Sequence, residues 1–163
     1  MSQFQGGFLD TLGSFIPGYK GYKEKEARRD TDRLLRAAIV QRLTDRKALV
    51  DRLIADSSRQ MKFDLLEPLE LAKRRIEKVS DLVRTAPAGY SGKFDTLQIA
   101  ESDLDKIYRH DLGIRDQVEK TAEQLGALGS AKDPAAAVDA LLATLQLLEE
   151  SVRGRDRCFL EIQ

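Results

Sequence analysis

Residues 133–163 read DPAAAVDALLATLQLLEESVRGRDRCFLEIQ, and this stretch decides the fold class. Val138, Leu141, Leu145, Leu148, Val152, Phe159 and Ile162 keep to a three-and-four rhythm broken only at Arg155. That spacing draws one apolar stripe along a helix of coiled-coil type, and other helices must cover the stripe. The start is also marked. Asp133 offers an N-cap oxygen, and Pro134 suits the first helical position, where no N–H is required.

Toward the N-terminus the same rhythm returns in Leu104, Ile107, Ile114, Val118, Leu125 and Leu128. It predicts a helix that begins in capping-box style at Ser102-Asp103-Leu104-Asp105, tolerates a kink at Gly113 and ends at Gly126, Gly129 and Ser130. Pro87 to Gly92 is a loop by its breakers. Ahead of it, Asp64-Leu65-Leu66-Glu67 has the form of a capping box, and Pro68 fits a first turn. Leu65, Leu69, Ala72, Ile76, Val79 and Val83 then line one face of a helix over about 65–85. A further helix from Lys23 to about Asp56 carries Leu35, Ile39, Leu43, Val50, Leu53 and Ile54. The apolar phase hardly slips between Val50 and Val83, so one rod kinked at Pro68 is a rival reading. Such a rod would be roughly 95 Å long and would imply an extended dimer, so a break within 57–63 is expected instead.

The first residues form a different unit. Phe4, Phe8, Leu9, Leu12, Phe15 and Ile16 share one face of a short amphipathic helix that Gly6, Gly7 and Gly13 weaken and Pro17-Gly18 stops. The expected architecture is therefore all-α: an antiparallel up-down four-helix bundle over 23–163, preceded by an amphipathic N-terminal arm over 1–22. Short connections make sequential helices neighbours, which gathers the start of the first bundle helix, the loop at 87–92 and the C-terminus at one end.

Composition narrows the function classes. Lys plus Arg and Asp plus Glu each number 27 in 163 residues, so no bulk charge draws the chain to nucleic acid or anionic lipid. The basic cluster Lys73-Arg74-Arg75 to Lys78 has Glu70, Glu77 and Asp81 interspersed and reads as a solvated face. One cysteine, Cys158, excludes an internal disulfide and suits a reducing compartment, taken as the cytoplasm. No apolar run has transmembrane length, and residues 1–7 lack signal-peptide character.

No residue set amounts to an active site. A ferritin-like di-metal centre would need two Glu-x-x-His motifs, but the only histidine is His110, and Ile107 stands three before it. His110 reads as a surface group and Cys158 as a packing cysteine, since no histidine neighbours it to activate the thiol. Carboxylates such as Glu101, Asp103 and Asp105 alternate with Lys and Arg at ion-pair spacing. Gly-Tyr-x-Gly occurs twice, at 18–21 and 89–92, without the Gly-Lys-Ser/Thr ending of a phosphate loop.

Tyr19, Tyr22, Tyr90 and Phe94, with Lys20, Arg155 and Arg157, are candidates for a binding patch at the end where these turns gather, against the plainer reading of turn glycines and end-covering tyrosines. The arm residues Phe4, Phe8, Leu12, Phe15 and Ile16 are candidates for packing on the bundle, on a second copy, on a partner protein or on a membrane surface. The expected function is non-catalytic protein–protein interaction, as adaptor, scaffold or self-associating module, with no cofactor or metal. The alternatives are a peripheral membrane protein anchored by the arm, and a small-molecule binder at the tyrosine-rich end.

Overall fold

The computed structural model describes residues 3–21, 28–85 and 101–161. These form α1 (Gln3–Phe15), α2 (Arg28–Arg59), a 3₁₀ turn (Phe63–Leu65), α3 (Leu66–Thr85), α4 (Glu101–Leu128) and α5 (Pro134–Glu161). The all-α bundle expected from the sequence is what the chain folds into, and no strand occurs among the described residues.

Each apolar stripe becomes a core face. Val138, Leu141, Leu145, Leu148 and Val152 of α5 are buried, as are Leu69, Ala72, Ile76, Val79 and Val83 of α3 and Ile114, Val118, Leu125 and Leu128 of α4. On α2, Leu35, Ile39, Leu43 and Val50 are buried, while Leu53 and Ile54 lie half-covered toward the helix end. Asp133 caps α5 as its chemistry predicts, its Oδ1 accepting the Ala136 N–H at 3.0 Å.

The break between α2 and α3 is real, so the rod is excluded. Lys62 N–H donates to Ser57 O at 2.9 Å and Met61 N–H to Ser58 O at 3.1 Å. This 6→1 and 5→2 pair is a Schellman ending, and the left-handed residue it requires is Met61, with φ 56°. The 3₁₀ turn follows, so α3 starts at Leu66, one residue later than the capping-box reading places it.

Neighbour order differs from the simplest expectation. α2 packs against α3 and α4 against α5 as two hairpins; the hairpins then meet through α3 with α5 and α2 with α4. Sequential α3 and α4 therefore stand on a diagonal. Direction still alternates along the chain. Arg155 lies between Asp32 and Asp111, and further along Arg42 meets Glu119 at 3.1 Å, so α2 and α4 run the same way.

The arm lies on the bundle, with α1 against α4. Leu12 is buried with Leu104, Ile107, Tyr108 and Cys158 in a cluster separate from the main core, whereas Phe15 and Ile16 join that core. α1 has no basic residue in its last turn. α2 supplies one: Arg42 Nη2 donates to Phe15 O at 3.0 Å, and its guanidinium sits 4.1 Å from the centre of the Phe15 ring.

Candidate functional site

Among the described residues, two places that depart from a plain apolar bundle lie at opposite ends. The first is at the arm end. Arg155 follows Val152 by three and so falls on the core face of α5, where it is 4% exposed. Asp111 follows Ile107 by four and falls on the core face of α4, fully buried. Arg155 Nε donates to Asp111 Oδ1 at 2.6 Å. Its Nη2 stands 2.8 Å from Asp32 Oδ1, close enough for an ion pair although not aligned as a hydrogen bond.

The network spreads from there. Arg36 pairs with Asp32 at 2.8 Å and donates from Nη1 to Val83 O at 3.1 Å, covering a carbonyl in the last turn of α3. Tyr19 donates its hydroxyl to Asp111 Oδ2 at 3.4 Å. Burial pushes the Asp156 carboxyl above its ordinary range, outweighing the opposing pull of Arg36 and Arg155. Beside these groups Leu35, Ile39, Val83, Ile114 and Val152, with Arg36, Arg155 and Asp156, line a half-open pocket of about 10 Å³, the space of a single water.

The first Gly-Tyr-x-Gly turn sits at this end, as the helix directions require. Gly18 and Gly21 have φ of 82° and 78°. Gly21 is also pressed into place: a Cβ there would stand 2.5 Å from the Tyr108 hydroxyl and 2.6 Å from Leu9. Its carbonyl accepts the Thr31 hydroxyl at 2.8 Å. The second turn, at 89–92, lies outside the described residues, as do Tyr22, Tyr90 and Phe94 and the side chains of Phe4 and Phe8. Of the candidate interaction residues, the structure therefore brings Leu12, Phe15, Ile16 and Tyr19 together and covers the first three; Arg155 is buried and Arg157 exposed.

The second place is the turn between α2 and α3. Met61 is 77% exposed and Phe63 63% exposed. In the sequence this turn is legible only as a breakpoint. The signal that could have marked it is the absence of Gly or Asn at the left-handed position, coupled with a second large apolar residue two positions on.

A concavity of about 320 Å³ lies between α2 and α3 over Leu43, Ile76 and Ser80, and the 2.6 Å Lys47–Glu77 ion pair stands in its wall. Among the described residues no group of three His, Cys, Asp or Glu side chains is arranged to hold a metal ion, and no helix is long and apolar enough to cross a membrane. Comparison with protein-family models, curated proteins and solved structures finds no match to the chain.

Proposed function

We propose that the protein is a non-catalytic, cytoplasmic interaction module that presents the α2–α3 turn to an apolar pocket on a partner protein. One observation carries the reading: Met61 occupies a backbone conformation that glycine adopts freely, at a cost of about 1 kcal/mol or more, and its side chain spends that conformation in solvent. Folding alone favours glycine here. A contact made outside the chain explains both the methionine and the exposed Phe63, since an unbranched thioether and an aromatic ring are well suited to filling a pocket. Among the described residues the apolar stripes of α2 to α5 are largely buried inside the bundle, whereas Met61 and Phe63 stand exposed at this tip, which supports the adaptor reading.

Site-specific photo-crosslinking in the native cell tests this. A photoreactive residue at position 63 is expected to capture a discrete partner, with capture lost in Met61→Gly, whereas the same probe at the exposed Arg52 captures none. Equal labelling from the two positions would remove the reading. A product of twice the chain mass would identify the partner as a second copy.

A further inference from the structure

The seam between α2 and α3 is stitched by long charged pairs, and at one level the stitching stops. Lys73 Nζ meets Asp51 Oδ1 at 2.6 Å and, four residues along each helix, Lys47 Nζ meets Glu77 Oε1 at 2.6 Å. One more turn brings Thr44 and Ser80 to the seam, and both are too short to bridge it. Arg84, the next long side chain on this edge of α3, turns instead to Asp81 of its own helix at 3.3 Å. What remains is the concavity of about 320 Å³, floored by the buried Leu43 and Ile76. That volume falls within the range of small-molecule sites, roughly 300 to 1,000 Å³.

Its polar groups define the ligand. Ser80 is 5% exposed and lines the concavity, and its hydroxyl makes no hydrogen bond among the described residues. A hydroxyl so enclosed calls for a partner from outside the chain. The Thr44 hydroxyl donates to Val40 O at 2.9 Å, so it offers the concavity lone pairs only. Around the mouth stand two cations, Lys47 and Arg84, and two carboxylates, Glu77 and Asp81, paired off at the surface. Such exposed pairs hold weakly and exchange readily. A ligand with one charge would strand the group whose partner it took, whereas a ligand with both an ammonium and a carboxylate replaces both partners. We infer that the concavity is a binding site for a free α-amino acid. Its side chain lies over Leu43 and Ile76, its carboxylate meets Lys47 or Arg84 and the Ser80 hydroxyl, and its ammonium meets Glu77 or Asp81. The site is apart from Met61 and Phe63 and does not rest on the function proposed for them.

The full chain, labelled with nitrogen-15, is titrated with each of the standard amino acids to millimolar concentration while its amide resonances are followed. At least one amino acid is expected to move the amides of residues 43–47 and 76–84 saturably. The amine and the carboxylic acid that carry the same side chain, each lacking one of the two charges, should bind about tenfold or more weakly. Ser80→Ala should weaken binding about fivefold or more. Thr44→Leu fills the mouth from an exposed position of α2 and favours helix, so it should abolish binding with no loss of thermal stability. No saturable shift with any amino acid would overturn the inference and leave water as the partner of Ser80. So would equal binding of the singly charged analogues, or saturable shifts that survive in Thr44→Leu.

Discussion

At the scale of single residues, the most consequential are the charged ones on apolar stripes. Arg155 and Asp111 each occupy a position that the helical rhythm assigns to the core. Taking both out of water is costly, and their attraction offsets that cost only while both are present. Arg155→Ala should therefore destabilise the fold by about 3–5 kcal/mol, because it removes the cation that faces a fully buried carboxylate. Denaturant titrations of Arg155→Ala, Asp111→Ala and the double variant would check this, with the double variant expected to lose much less than the sum of the single ones. Additive losses would mean the groups act independently. Met61→Gly runs the other way: it should raise stability by about 1 kcal/mol by relieving a left-handed methionine. A neutral or destabilising result would show that the Met61 side chain supports the fold.

Asp156 gives a prediction in which the sign matters. Burial, as the dominant cause, raises its folded pKa above the ordinary 3.8, so the folded state disfavours the charged form. Its contribution to stability is therefore fully present below 3.8 and lost as pH rises through the raised value. Asp156→Asn should stabilise the protein at neutral pH by less than about 1 kcal/mol, since solvent screens a half-buried group. That advantage should shrink toward zero as pH falls past 3.8; an advantage independent of pH would point to a different cause. Glu149 behaves oppositely. Hydrogen bonds from Lys78 and Arg153 lower its pKa below 4.5, and the Lys78 pair fastens α5 to α3, so this support is lost as pH falls through the lowered value.

At the scale of elements, the sequence was legible wherever one physical rule governed the residue. Asp133-Pro134 marks the start of α5 because capping is local chemistry, and the stripes of α2 to α5 are the faces that become buried. The break at 57–63 was visible from chain length alone. The neighbour order was not, because direction alternates whether α3 lies beside α4 or diagonal to it, and the choice rests on how the four apolar stripes fill one core. The candidate sites were the least legible. The arm's apolar face reads the same whether it is free or seated, and only three-dimensional packing reveals that Leu12, Phe15 and Ile16 are covered. Arg155 was noticed as an interruption, but its meaning depends on Asp111 lying 44 residues away in sequence.

At the scale of the whole molecule, the two ends differ in how they are fastened. The tip closes with a backbone-bonded Schellman turn, while the arm end is closed by side chains from four separate segments meeting at Arg155, Asp111 and Gly21. Opening free energy should follow that division. Native-state hydrogen exchange should find the α1 amides opening well below the global unfolding free energy, with those of α2 and α5 near it. Gly21→Ala sharpens the test, because its Cβ would collide with Tyr108 and Leu9 and its left-handed φ disfavours alanine. That variant should lose protection across residues 3–16 by tenfold or more, at roughly 1.4 kcal/mol per decade, while α5 keeps most of its own. Equal loss of protection in α1 and α5 would mean that arm and bundle are one cooperative unit, in which case the arm could not leave its seat without unfolding the rest.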